Sequence, residues 1–316
     1  MALLYTNQEI PKTSEEAIRQ FREDYIMGVT DGPLPTWHTP FVMPVESPRT
    51  TFPLSSISTK FQELKEKSGR FKQMDEREIN VTVSPATAGH EVAVLDLKLQ
   101  TIAARRWVTT PQRFVRAETR HVASKLAALL EAGQSTPCKW DDKNFFIATH
   151  DSNPADATSG QFSNYNAAGL DPAVVANIQA EMTSMRLVKD ENGDKLGVEP
   201  REIWLPTEKF QLVSDMLSKE FLANGESNPI FGKLKPVHIP EFTDPNDWYL
   251  VDPELIASGL DPMVAAQFRP GDTLGLQFLD ESSDFFKTNL KIAVKAVVWY
   301  GFSLIFPHGI RKVLGA

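Results

Sequence analysis

The feature that most constrains this chain is the apolar run AVVWYGFSLIF at residues 296–306, broken only by Gly301 and Ser303. A membrane-spanning helix needs about 20 apolar residues, so this run is too short to be one. Lys291 and Lys295 precede it, and His308, Arg311 and Lys312 follow closely. Its β-branched and aromatic residues favour a strand, and apolar residues at both parities predict burial on both faces. Gly301 predicts a bulge or a close backbone approach. The fold must therefore contain a sheet covered on both sides.

A chain of 316 residues can supply such a covering, with room for two modest domains. Hydrophobic residues make up 41% and charged residues 23%, the balance of a chain that buries a core. Acidic residues outnumber basic ones by 41 to 33, giving a net charge of −8. That excess speaks against a dedicated nucleic-acid binder, which shows a basic stripe or domain. Cys138 is the one cysteine, so no internal disulfide can form and a reducing compartment suits the chain. The opening MALLYTNQEIPKTSEEAIRQ has no basic n-region, long apolar core or A-x-A site, which predicts retention in the cytosol. It also carries no long charge-rich helical pre-segment, so the mature subunit is expected to be close to full length.

Thr13 and Glu16 have capping-box spacing, and Ile18, Phe21 and Tyr25 share one face of the predicted helix, with Gly28 as its expected stop. Residues 29–56 hold six prolines and no helical period, yet Trp37, Phe41, Val42, Val45 and Phe52 are too apolar for a solvated tether. An extended arm lying on another surface fits better. Residues 60–78 are dense in charge. INVTV and EVAVLDLKL alternate strongly and flank the turn-rich SPATAGH, which predicts a projecting two-stranded ribbon. Pro111 after Thr110 reads as the N1 position of a long helix carrying Val115, Val122, Leu126 and Leu129 on one face and closing at Gly133. A second helix is expected at Asp171-Pro172, with Val174, Ile178, Met182 and Met185 on one face. REIWLP predicts a strand that leads into a helix from Thr207 with Phe210, Val213, Leu217 and Phe221 inward. AAGLDPAVVA (167–176) and ASGLDPMVAA (257–266) are near copies, and a shared Asp-Pro helix start explains the likeness. The segments WYLVDPE and TLGLQFL and the closing strands make the latter half a mixed α+β body.

Chemistry is hard to find. The six histidines, at 38, 90, 121, 150, 238 and 308, fall into no H-E-x-x-H pattern, and one cysteine cannot build a structural zinc site. Phosphate-loop, dinucleotide and nucleophile-elbow motifs are absent. KDENGDK lacks the spacing and the final glutamate of a calcium loop, and a solvated turn is the better reading. Cys138 with His150 is the one conceivable nucleophile and base, but TPCKWDDK offers no signature for a thiolate. The Trp37–His38 pair reads as an aromatic anchor. No catalytic, cofactor-binding or metal-ligating residue, and no cofactor, is expected.

Taken in order, however, the segments resemble a known family. FREDYIMGVTDGPLPTWHTPFVMPV, EREINVTVSP, ASKLAALLEAG, TPCKWDDKNFFIATH, SNYNAAGLDPAVVANIQAEMTSMRLVKDENGDKLGVEPREIWLPTE and NPIFGKLKPVHIPEFTDPNDWYLVDP are similar to successive stretches of Mu-like phage major head subunits. Within them, TPCKWDDKNFFIATH resembles a C-x-D-G-x-x-F-F-x-x-x-H segment. VKAVVWYGFSLIF takes the place of a D-x-R-x-x-x-G-Y-G-x-W strand, with Lys295 and Val298 departing from it. Residues 84–110 are longer and more strand-like than the usual link before the long helix.

The resemblance implies an α+β fold of the Hong Kong 97 capsid type. It would comprise an N-terminal arm with a short helix (1–58), an extended β-hairpin loop (59–108), a peripheral domain with a long spine helix (109–139 and 251–316) and an axial domain (140–250). The apolar run would cross the peripheral sheet beneath the spine helix. The implied function is that of a major capsid protein, not an enzyme. It would self-assemble through hexamers and pentamers into the icosahedral head of a tailed phage and enclose double-stranded DNA without reading its sequence. Portal, scaffold and decoration proteins would be its other partners. It would reside in the virion, and in the host cytoplasm during assembly, with no membrane partner. Two alternatives stay open at this point: an encapsulin-like nanocompartment shell, and a hydrolase using Cys138 and His150.

Overall fold

The computed structural model describes residues 14–30, 36–47, 49–54, 77–82, 84–96, 102–154, 158, 160–190, 193–222, 225–271, 274–279, 282–289 and 291–315. In chain order the elements are α1 (Ser14–Thr30), β1 (Val42–Pro44), β2 (Arg49–Leu54), β3 (Arg77–Thr82), β4 (Ser84–Asp96) and α2 (Ile102–Glu131). The short strands β5 (His150–Asp151), β6 (Gln161–Phe162) and β7 (Tyr165–Asn166) come next, then α3 (Val175–Arg186), β8 (Glu202–Leu205), α4 (Thr207–Leu217), β9 (Lys235–His238) and β10 (Trp248–Val251). The chain closes with α5 (Pro253–Ala257), β11 (Met263–Phe268), β12 (Leu276–Leu279), α6 (Asp284–Asn289), β13 (Lys291–Leu304) and β14 (Ile310–Val313).

These elements form two compact units, each from separate pieces of chain. The first takes residues 1–50, 82–123 and 266–301, and the second takes 51–81, 124–265 and 302–316. The apolar run forms most of β13, which is an interior strand as its composition predicts. β13 runs antiparallel to β12 and to β4, and the sheet order is β1-β11-β13-β12 with β4 also on β13. Opposite β4 the register slips between Val298 and Tyr300, slightly earlier than Gly301 suggested. The close backbone approach is made by another glycine. Gly275 has φ +87°, and a Cβ there would lie 2.1 Å from the carbonyl oxygen of Val297.

The first unit's core joins Phe21 and Tyr25 of α1, Phe114 and Val115 of α2, and Leu276, Val294 and Ala296 of the sheet. The apolar strand does pack against the long helix. Gly28 is no helix stop: α1 continues to Thr30, and a Cβ at Gly28 would come within 3.2 Å of Val115. Over this core Glu118, Arg269, Gln267, Tyr25 and Tyr300 share one network of hydrogen bonds. Arg269 pairs with Glu118 while both side chains are largely buried. Burial raises the Tyr25 hydroxyl to about 12, with the Glu118 charge adding to it against Arg269.

The second unit is built on a sheet of order β7-β14-β10-β8-β9. β10 lies between antiparallel β14 and β8, and β9 pairs parallel to β8. All four residues of β10 are buried, as befits a central strand. Ile178, Met182 and Met185 of α3 and Val213 and Leu217 of α4 meet Ile203, Leu205, Trp248 and Leu250 in one core. Arg311 pairs with Glu181, and Lys312 lies 2.8 Å from Asp247, all four being buried.

Several expectations are corrected. α2 does not start at Pro111 but upstream at Ile102, with Pro111 inside the helix. α3 opens at Val175 rather than at Asp171-Pro172, because Asp171 holds a preceding turn through its hydrogen bonds to Ala173 and Val174. Phe221 lies beyond α4 and is exposed. The strands flanking SPATAGH exist but are not partners, because SPATAGH is itself extended within β4. β3 instead pairs with β2 in a separate two-stranded sheet, while β4 joins β13. Ladder hydrogen bonds to a long neighbouring strand outweigh the local turn preference of Pro, Gly and Ser. The residues between β2 and β3, including the charged stretch 60–76, lie outside the described residues. Finally, ASGLDPMVAA leads into strand β11, not a helix.

Candidate functional site

A buried polar cluster of the second unit lies just after α2. The chain turns through Ala132–Gln134 and is then folded back on itself. Phe146 N–H donates to the Gly133 carbonyl, Phe145 N–H to that of Thr136, and Cys138 N–H to that of Lys143. Gly133 is buried, and a Cβ there would come within 2.6 Å of the Phe146 ring, so the residue expected to end the helix also lets the aromatic pair close in. Asp142 takes φ +56°, the left-handed conformation usually given to glycine, at the place where the resembled motif carries Gly.

This fold-back brings Cys138, Asp141 and His150 together. The Cys138 thiol donates to Asp141 Oδ1 at 3.0 Å, and His150 Nδ1 lies 2.9 Å from Asp141 Oδ2. Backbone N–H groups of Lys143 and Asp151 donate to the same two oxygens, each at 3.2 Å. His150 Nε2 lies 2.9 Å from the Phe145 carbonyl, which also accepts from Asn164 Nδ2 at 2.7 Å. The His150 and Asp141 side chains are fully buried. Phe162 stacks on His150, and on Phe162 in turn lies His308, whose ring nitrogens are buried without partners. Burial holds the His308 ring down at about 3, with the His150 charge adding to the effect.

Charge in the cluster is concentrated on Asp141. Burial opposes its ionisation, but hydrogen bonds from His150, Cys138 and Lys143 prevail and hold its carboxyl down to about 2. Burial, with the Asp141 carboxylate beside it, pushes the Cys138 thiol up to about 12. The order of contacts is Cys–Asp–His, with the carboxylate in the middle. A nucleophile–base pair requires the histidine to touch the thiol. Here the carboxylate stands between them and suppresses the thiolate. The structure does bring Cys138 and His150 together, but not as a hydrolase would. Asp141, which joins them, went unread in the sequence because a surface-type KWDDK loop gives no sign of where its carboxylates point.

Other residues singled out by sequence find structural places. His38 is buried, with Nδ1 2.9 Å from Thr36 Oγ1 and its ring edge-on to Trp37. In KDENGDK, Asp190 N–H and Asp194 carbonyl face each other across a tight turn, and Gly193 has φ +81°. Three atoms from Cys138, Asp141 and His150 lie within 4.8 Å of one another, close enough to ligate one ion. Among the described residues no helix is long and apolar enough to cross a membrane.

The fold defines a class: a mixed α/β subunit with a long helix over a sheet whose interior strand lies near the C-terminus, as in Hong Kong 97-type capsid subunits. The sequence profile of the phage capsid protein family matches residues 84–313, and the chain belongs to that family. No curated protein matches it. Among solved structures, it is similar to the bacteriophage JBD30 capsid with a TM-score of 0.51 and 15% identity, over 76% of this chain and 96% of that one. The mature capsid of bacteriophage PhiM1 gives 0.50 and 12%, over 90% and 88% of the two chains. The capsid of cyanophage P-SCSP1u gives 0.50 and 9%, over 87% and 86%. At such identities the likeness speaks for the fold. The protein is a phage capsid protein, a structural protein of the virion. Family membership favours the head over the nanocompartment.

Proposed function

We propose that the subunit builds the head through hexamers and pentamers, with the division of labour expected from the sequence. In that division an arm (1–58) and an extended loop (59–108) engage neighbours, a peripheral domain (109–139 and 251–316) forms the shell floor, and an axial domain (140–250) converges at the capsomer centre. What carries this reading is the sheet built on β13. One long interior strand near the C-terminus, packed against α2, pairs with β4, the second half of the proposed loop, and so joins the loop to the sheet. The net charge of −8 suits a shell that contains DNA without gripping it. Portal, scaffold and decoration proteins are proposed as further partners, and the particular likeness to Mu-like head subunits belongs to the same proposal.

Electron microscopy of the purified full-length protein tests this. Hollow icosahedral particles with sixfold and fivefold capsomers are expected, and their assembly should weaken with salt if exposed charge pairs contribute. A shell whose capsomer centres are occupied by residues 291–304 would overturn the domain assignment.

A further inference from the structure

The cluster on which the hydrolase reading failed has a geometry suited to something else. We propose that Cys138, Asp141 and His150 form a buried site for one zinc-class divalent cation, ligated by the cysteine sulfur, the aspartate carboxylate and His150 Nδ1.

Three kinds of donor converge here from one fold-back. Their ligand atoms all lie within 4.8 Å of one another, and Sγ and Nδ1 flank opposite oxygens of one carboxylate at 3.0 and 2.9 Å. A sulfur, a nitrogen and an oxygen together suit a borderline ion such as zinc and not magnesium or calcium, which take oxygen ligands. The histidine is also posed as a ligand. Its Nε2 faces the Phe145 carbonyl at 2.9 Å, leaving Nδ1 for the cluster, and such a carbonyl contact fixes the ring of metal-bound histidines. Asn164 in turn holds that carbonyl, and the backbone N–H groups of Lys143 and Asp151 orient the carboxylate. The supporting contacts of a metal centre are therefore in place.

Hydrogen-bond geometry and charge favour the ion as well. Both ring nitrogens of His150 face acceptors in a fully buried place, and a ring with one proton can donate to only one of them. A divalent cation at Nδ1 leaves Nε2–H to donate to Phe145 and displaces the thiol proton to solvent. The cation, thiolate, carboxylate and neutral imidazole sum to zero charge. Burial thus permits the ion without leaving a net charge inside. Its effect would be to staple the loop after α2 to β5.

The alternative is a hydrogen-bonded pin without metal, and Cys138→Ser separates the two, because a serine hydroxyl can still donate to Asp141 but is a far poorer zinc ligand. Purified full-length protein is stripped with a chelator, dialysed, and titrated with Co²⁺ and with Zn²⁺. The expected result is about one equivalent bound and a thiolate-to-cobalt charge-transfer band in the near ultraviolet, which can come only from Cys138. Zinc should also raise the melting temperature of the wild type by several degrees. Cys138→Ser should melt like the stripped wild type and respond to neither ion. A wild type without the charge-transfer band, or a Cys138→Ser variant that binds zinc and is stabilised equally, overturns the proposal. If Cys138→Ser does not fold, the cobalt band of the wild type decides alone.

Discussion

AAGLDPAVVA and ASGLDPMVAA begin alike and end differently. Both pass a glycine at positive φ, Gly169 at +66° and Gly259 at +93°, and both then reach a buried proline. Beyond it the first continues into α3 and the second into β11. Val174 is 47% exposed, while its counterpart Val264 is 3% exposed. The residues downstream of each copy explain part of this. NIQAEMTSMR supplies helix formers with inward Ile178, Met182 and Met185, whereas QFRPGD brings a proline and a glycine that stop any helix within a turn. The rest is tertiary. β11 lies between β1 and β13, where ladder bonds and burial of Met263, Val264, Ala265 and Ala266 outweigh the helical preference of Met and Ala. A near-identical decapeptide thus adopts whichever structure its neighbours complete.

The comparison breaks most easily at the paired valines. Val264→Asp should bury an unpaired charge at more than about 4 kcal/mol and yield insoluble or unfolded protein, whereas Val174→Asp should stay within about 0.5 kcal/mol of wild type. Urea denaturation of both variants checks this, and equal losses would mean that the two copies share one environment after all. Next in size, Met263→Ala should lose about 2–5 kcal/mol by leaving a cavity, without assembly defects beyond those of stability. Replacing the two glycines with alanine sharpens the comparison, since a methyl group at either position would meet no atom within 4 Å and only backbone strain is tested. Each should cost about 1–2 kcal/mol, with Gly259→Ala the larger because φ +93° lies outside the small left-handed basin. A reversed order in thermal melts would show that the turn at Gly259 relaxes.

The smallest expected effect concerns Asp261, the counterpart of Asp171. Burial raises its carboxyl from 3.8 to about 6. The folded state therefore holds this proton more tightly than the unfolded chain. The carboxyl's contribution is fully present below pH 3.8 and is lost as pH rises through about 6. Asp261→Asn should flatten stability across that window and leave the variant slightly more stable than wild type at neutral pH. Asp171, partly exposed and 3.8 Å from Lys209, should contribute less than about 1 kcal/mol through that pair, so Asp171→Asn should show only a weak salt-dependent loss. A steeper pH profile in Asp261→Asn would contradict the desolvated carboxyl.

Much of the architecture was legible because it rests on periodicity. Phe21 and Tyr25, Val122 and Leu126, and Val213 and Leu217 lie buried on the faces that their spacing predicts. β13 buries Val294, Ala296, Val298 and Tyr300 on one face but leaves Val297 and Trp299 half-buried on the other, so the expected burial of both faces is only partly met. Boundaries were less legible: a proline inside α2 looks like a helix start when read alone, and SPATAGH looks like a turn. The candidate site was half legible. Cys138 and His150 stood out by residue type, but Asp141 became meaningful only when the fold-back placed its carboxylate between them.

The order of side-chain types along this chain by itself determined an interior strand near the C-terminus, a long amphipathic helix before the middle, an apolar arm and a body of mixed elements. Those features depend on local pattern and on removing apolar surface from water, which each segment specifies for itself. Only the tertiary structure decided that β4 pairs with β13 and not β3, that ASGLDPMVAA is a strand, and that Asp141 bridges Cys138 to His150. Each of these depends on partners distant in sequence or on a turn's particular path. There, long-range hydrogen bonds and burial outweigh local preferences of a few tenths of a kilocalorie per residue, to about 1 kcal/mol for glycine.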